Sequence, residues 1–366
     1  MGKRIYITII ASTLSLYSFA GINIDSLLQK ISRWSFYCLP TLTYQPETKY
    51  AFGIGGGYNF RFLDPTKIST LSFNETFTQN HQFSFSASPR LYFGGSGKWY
   101  VYSNINVQKY PDTFHGTGNA ESKLLELPIK YTSRSFSFTV QPQRFLTKHL
   151  TMGLNLSVKN EKVVLADSLK IRAPDIHITG WQSYFMLGIG GVLSYDSRNT
   201  LFYPTNGLFS KFAFIYYDPR LGSTYNIVQF SFDFRQYIPI YQDHVFAWQF
   251  YTDWRLGNAI PFQMLTTIGG NDIMRGFSRD IYRDNVMAAI QGEYRFPIYN
   301  TWRGAIFCST GDVLNSNNFM IDRLKFAYGA GIRFRITRAK VNCRFDLTRN
   351  NYYKGFQYYF TAMEAF

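Results

Sequence analysis

The stretch Leu324-Lys325-Phe326-Ala327-Tyr328-Gly329-Ala330-Gly331-Ile332-Arg333-Phe334-Arg335-Ile336 decides the fold. Leu324, Phe326, Tyr328, Ala330, Ile332, Phe334 and Ile336 alternate with Lys325, Ala327, Gly329, Gly331, Arg333 and Arg335. A period of two puts successive side chains on opposite faces, so one face here is apolar and the other small or cationic. The run spans 323–336, longer than most strands of water-soluble sheets. A strand with lipid on one side and a polar lumen on the other needs this pattern at this length. The segment 339–349 repeats it, with Val341, Cys343, Phe345 and Leu347 against Asn342, Arg344 and Asp346. Working outward, the same alternation yields strands over 34–44, 48–62, 68–79, 82–94, 97–109, 126–142, 146–159, 182–197, 206–218, 223–239, 243–257, 285–297, 302–311, 323–336, 339–349 and 355–366. The expected fold is all-β, a sixteen-stranded antiparallel transmembrane barrel over 34–366, which pairs every backbone group without an open edge.

Composition points the same way. Of 366 residues, 17% are charged and 19% aromatic, with 35 Phe and 28 Tyr. A soluble interior has little volume for so many large rings, whereas a membrane barrel places them on its outer wall and in two interfacial girdles. Mean hydropathy is −0.17, and beyond the first twenty residues no apolar run is long enough for a spanning helix. The net charge of +15 comes from Lys and Arg scattered singly, without a basic helix or a nucleic-acid-binding module. A basic lumen and basic rims facing anionic lipid headgroups account for it better.

The N-terminus reads as a signal peptide over 1–20. Lys3 and Arg4 are followed by an apolar stretch from Ile5 to Leu16 and by Ser18-Phe19-Ala20 ahead of Gly21. Residues 21–33 form a short periplasmic segment whose Ile24, Leu27, Leu28 and Ile31 have helical spacing. Cys38, Cys308 and Cys343 lie on three separate strands. Cys308 and Cys343 share the phase of apolar neighbours and read as small lipid-facing hydrophobes.

An even strand number puts both barrel ends on the periplasmic side, so connections alternate between the two rims. Gly94-Gly95-Ser96-Gly97 is then a periplasmic turn, while Tyr110 to Lys123, Asn160 to Trp181 and Gly257 to Asp284 are long exterior loops. A hairpin needs two to five residues, so the last of these, about 28 residues long, asks for a function. It holds Gly269-Gly270 and Met274-Arg275-Gly276-Phe277. This pattern resembles the loop-six signature of the BamA/TamA-like outer-membrane assembly barrels, the bacterial surface-antigen family, with Met274 in place of the usual Val. Asp196, Arg198, Pro204 and Gly207 resemble that family's Asp-x-Arg…Pro-x-x-Gly periplasmic turn. Glu293, in Gln291-Gly292-Glu293-Tyr294-Arg295-Phe296-Pro297, faces the lumen by strand phase alone. Phe307-Cys308-Ser309-Thr310-Gly311 resembles the family's Phe-x-Asp-x-Gly, with Ser309 at the Asp that pairs with the loop-six Arg. Asp312 and Asp346 are the candidates to replace that carboxylate. Terminal Phe366, on the face of Phe356, Tyr358, Phe360 and Ala362, resembles the C-terminal assembly signal of outer-membrane barrels.

The resemblance implies a cleaved signal peptide, the outer membrane of a Gram-negative bacterium, and assistance in inserting or translocating other proteins. It implies a weak seam between the first and last strands, with loop six held in the lumen. It also implies outer-membrane lipid and lipopolysaccharide, client proteins and a separate periplasmic protein as partners, since the chain reads as a barrel-only member without POTRA domains. The alternative from another class is a passive pore or surface-exposed structural protein that keeps the fold without client handling. Enzymatic chemistry is not expected. His81, His115, His149, His177 and His244 lack metal-ligand spacing, there is no Gly-x-Ser-x-Gly, and Gly53-Ile54-Gly55-Gly56-Gly57 lacks the Lys of a phosphate loop. No cofactor, metal or nucleic acid is expected.

Overall fold

The computed structural model describes residues 36–45, 48–60, 68–93, 98–120, 124–165, 178–201, 203–279, 281–317, 319, 324–335, 342–362 and 364–366. The signal-peptide reading over 1–20, the segment 21–33 and the Gly94–Gly97 turn lie outside them. Eighteen strands follow in order: β1 Phe36–Gln45, β2 Lys49–Phe60, β3 Ser69–Thr78, β4 Phe83–Phe93, β5 Trp99–Gly116 and β6 Leu124–Phe145. Next come β7 Leu150–Leu165, β8 Tyr184–Asp196, β9 Gly207–Tyr217, β10 Ile227–Tyr241, β11 His244–Leu256, β12 Thr266–Thr267 and β13 Arg283–Asp284. The series ends with β14 Val286–Tyr299, β15 Trp302–Leu314, β16 Lys325–Arg335, β17 Asn342–Asn350 and β18 Gln357–Ala362. Sixteen of them close into an antiparallel barrel, while β12 and β13 form a two-residue ribbon within the loop joining β11 to β14.

The alternation that defined the strands also sorts their faces. On β16, Phe326, Tyr328, Ile332 and Phe334 are exposed, whereas Lys325, Ala327 and Arg333 are fully buried. The exposed set continues around the wall as Phe52, Ile54, Phe136, Leu154, Ile306 and Phe345, the apolar band that a lipid-facing wall requires. Cys308 is exposed on this wall, and all three cysteines are free. Among the described residues no helix is long and apolar enough to cross a membrane, and the strands do the spanning.

Two of the expected loops are shorter than the sequence indicates. β5 runs on to Gly116, β6 begins at Leu124 and β7 reaches Leu165, so much of 110–123 and the start of 160–181 is strand. Pro111 and Asp112 look like turn residues, but β4 pairs no further than Phe83 with Lys109. Beyond that point β5 has a neighbour on one side only, where Pro is tolerated. The inward face of this extension is held by packing: buried Phe114 lies 4.6 Å from the Phe262 ring and 5.3 Å from that of Trp181. The Tyr131 hydroxyl donates to Asp112 Oδ2 at 2.9 Å.

The closing seam is short. β1 and β18 meet at the register pair Tyr44↔Phe360, with Tyr44 stacked on Tyr358 at 4.3 Å. By contrast, β17 and β18 align from Cys343↔Ala362 to Thr348↔Gln357, and β1 and β2 from Phe36↔Tyr58 to Gln45↔Lys49.

The expected last strand is corrected at its end. β18 stops at Ala362, and Phe366 does not share the outward face of Tyr358. It is buried against Tyr237, Val245, Ala247 and Ala365, and its main-chain oxygen accepts from Arg295 Nη2 at 3.0 Å. The alternating pattern runs on to the terminus, but the partners that draw Phe366 inward lie on β10, β11 and β14, far off in sequence. Phe366→Ala removes a buried ring, which costs about 3–5 kcal/mol. The folded, faster-migrating band of unboiled protein is expected to disappear at a lower temperature than in the parent. An unchanged melting temperature would mean the ring contributes no packing.

Candidate functional site: a lumenal arginine clamp

The connection from β11 to β14 turns down into the barrel. Ile268, Met274, Phe277 and Tyr282 are buried in one cluster with Met287 and Ala289 of β14, Val313 of β15 and Ala327 of β16. The path is fixed by the backbone: Gly270 N donates to Phe277 O at 2.9 Å and Phe277 N to Met274 O at 3.2 Å. Gly276 sits at φ +112°, and a Cβ there would meet Ala327 Cβ and Thr348 Oγ1, each at 3.3 Å. Its N–H donates to the Tyr359 hydroxyl at 3.0 Å, and its carbonyl accepts from Asn350 Nδ2. Further anchors come from Gln291 Nε2 on Asp272 O and Arg344 Nη2 on Asn271 O, both at 2.8 Å. At the outer end, Gly118 N donates to Arg283 O at 2.8 Å, so a second exterior connection holds the loop.

Arg275 is the tip of this loop and is 1% exposed. Its Nη2 donates to Glu293 Oε2 and its Nη1 to Asp346 Oδ2, both at 2.7 Å. The guanidinium lies over the Phe307 ring, 3.6 Å from the centroid. One planar fork thereby ties together β14, β15 and β17, a geometry suited to Arg and not to Lys.

Around this fork the ions form a continuous network. Arg295 Nε reaches Glu293 Oε1 at 2.7 Å. Arg333 bridges Asp346 Oδ1 at 2.5 Å, Glu293 Oε2 at 3.1 Å and Glu364 Oε2 at 3.3 Å. Arg344 Nε lies 3.3 Å from Asp346 Oδ2. Four guanidinium groups therefore share three carboxylates in a site closed to solvent. Desolvation of each ion is offset only because every carboxylate faces at least one cation at contact distance.

Of the residues singled out from sequence, the structure brings Met274, Arg275, Gly276, Phe277, Glu293 and Asp346 together. Ser309 is buried on β15, but the second carboxylate on Arg275 comes from β17 as Asp346. Asp312 stands apart, 2.6 Å from Lys325 Nζ, which also donates to Asn119 O at 2.7 Å. The Asp196 turn lies toward the opposite end of the lumen. Arg198 Nε and Nη2 grip Asp196 at 2.9 and 2.8 Å, Gly207 adopts φ +108°, and Pro204 O lies 3.5 Å from Arg295 Nη1. Sequence reading did not nominate Arg295, Arg333, Arg344, Phe307, Tyr359 or Glu364 as partners. Strand phase points the first five inward, whereas Glu364 belongs to the inward-turned tail and had no such signal. Among the described residues no group of His, Cys, Asp or Glu could hold a metal ion.

The charge count orders the expected mutant effects. Glu293→Gln leaves four guanidinium groups facing two carboxylates and is expected to cost about 3–5 kcal/mol, the range for stranding buried charge. Arg275→Met leaves three facing three and should cost less. It should nonetheless free the loop to external protease, and Arg275→Lys should not restore the protection. A double-mutant cycle on unboiled-gel melting should show coupling of Arg275 with both Glu293 and Asp346. Additive losses, or a costlier Arg275→Met than Glu293→Gln, would contradict this network.

The family model for the Omp85 superfamily domain matches residues 50–366. No curated protein matches the chain. Among solved structures, BamA from Haemophilus ducreyi lacking POTRA domains 1–3 superposes with a TM-score of 0.64 at 15% identity, covering 91% of this chain and 70% of that one. CdiB from Acinetobacter baumannii gives 0.60 at 14% identity, over 90% of this chain and 59% of the other. CdiB from Escherichia coli gives 0.61 at 12% identity, over 91% and 63%. At these identities the likeness is one of fold, and this chain spans less than two thirds of either CdiB chain. With a matching family model over most of its length and a closed sixteen-stranded barrel, the chain belongs to the Omp85 superfamily, barrels of the Gram-negative outer membrane.

Proposed function

We propose that this barrel assists the insertion or translocation of other proteins at the outer membrane, with membrane lipid and unfolded client strands as its partners. The observation that carries this reading is the β1/β18 seam, aligned among the described residues at Tyr44↔Phe360 alone. A strand edge with few ladder bonds separates at low cost and then presents unpaired N–H and C=O groups. Those groups are a template for an incoming strand. Buried ion pairs and packing hold loop six to β14–β17, so the rest of the wall keeps its shape while the seam parts.

The passive-pore reading fits the interior less well. A pore needs a continuous water path, yet Met274, Phe277, Phe262 and Phe114 are fully buried. The inward-turned tail and the turn before β9 approach Arg295 from the other end.

In a background without the native cysteines, Tyr44→Cys with Phe360→Cys places a thiol on each side of the seam. Oxidation is expected to stop client assembly and reduction to restore it. Depleting the protein should remove clients from the outer-membrane proteome. Full activity with the seam locked, or unchanged clients with altered solute uptake, would refute the proposed role.

A further inference from the structure

The outward face of the extended β5–β6–β7 wall carries an unusual row. Lys109 is directly opposite Arg134, and Arg134 is directly opposite Lys162. All three are exposed, and Lys130, also exposed, stands four residues from Arg134 on the same face of β6. Their phase is that of exposed Val107 and Phe136, while Ser133, Ser135 and Glu161 between them are buried inward. Cross-strand neighbours lie about 4.5–5.5 Å apart between Cβ atoms, and like charges directly opposite destabilise a sheet. Among the described residues none of the three cations makes an ion pair or hydrogen bond. On the same face, Glu75 is separated from the row by Phe85 of β4, and Glu126 lies beyond Lys130.

The row is also placed at a defined height. Next to Lys109 stands Phe83, whose ring lies 4.9 Å from that of Phe77. One step below Arg134 is Phe136, and the residue paired with Asn160, one step below Lys162, is Phe185. The cations thus sit on the aromatic girdle at the rim bearing the long loops. Beneath them is an apolar wall of Val107, Ile105, Phe138 and Val158. An acyl chain packs on such a wall, and a headgroup with more than one phosphate spans adjacent strands at the level of the row.

We propose that Lys109, Arg134 and Lys162 form a binding site for the phosphorylated headgroup of an outer-leaflet glycolipid, lipopolysaccharide. The site neutralises the row and fixes lipid against the tall side of the barrel. It does not depend on client handling.

The test uses full-length protein in phosphatidylcholine nanodiscs, with purified lipopolysaccharide as probe and fluorescence anisotropy as readout. K109Q/R134Q/K162Q is expected to bind on the order of a hundredfold more weakly, from a loss of roughly fivefold per cation. K109R/K162R should retain affinity, as should K49Q/K354Q, which removes exposed cations elsewhere. Should the triple variant fail to give a heat-modifiable band, R134Q alone should still lose roughly fivefold. Unchanged binding by these Gln variants overturns the site. An equal loss in K49Q/K354Q overturns it in favour of diffuse attraction. Complete displacement by millimolar inorganic phosphate, or equal retention of dephosphorylated lipopolysaccharide, overturns the assignment to the phosphorylated lipid.

Discussion

The fork of Arg275 between Glu293 and Asp346 is the contact on which the interior depends. It joins a loop to three strands that are not all neighbours, and it does so where water is excluded. Ion pairs of this kind contribute little net stability, because desolvation offsets most of the Coulomb gain. What they supply is register: a loop displaced by one residue would leave the Arg275 guanidinium buried without a carboxylate. The apolar contacts of Met274 and Phe277 accept small shifts, whereas the fork does not. Packing therefore holds the loop in the lumen, and the ions fix where it sits.

The same network explains how the wall can be uneven without collapsing. β14 to β17 are tied through the lumen by Arg275 and Arg333, and β5 to β7 by long ladders and the aromatic cluster of Phe114, Trp181 and Phe262. Among the described residues the seam between β1 and β18 has no comparable support in its register. Among the described residues, the shortest register in the wall is thus that of β1 with β18.

Most of the wall was legible in the sequence because lipid and lumen impose a period of two. That signal alone places all sixteen barrel strands and turns Glu293 and Asp346 inward. It failed where the environment changes without a change in pattern. Beyond Lys109 the strand has a neighbour on one side only, so Pro111 and Asp112 are tolerated and mimic a turn although the ladder continues to Gly116. At the other end, the residues after Ala362 keep alternating, yet Glu364 and Phe366 bend into the lumen toward cations on β14 and β16. Ser309 shows a third kind of limit. A motif position can lose its carboxylate while the structure recruits one from two strands away, and no local spacing reveals the exchange.

The inward-turned tail also bears on the charge of the lumen. Glu364 follows β18 in the chain, yet it supplies one of the three carboxylates that face four buried guanidinium groups. Without it, four guanidinium groups would face two carboxylates, an excess that disfavours dry closure around the loop. The segment after β18 therefore acts as a latch, since its docking lowers the excess of buried cations from two to one.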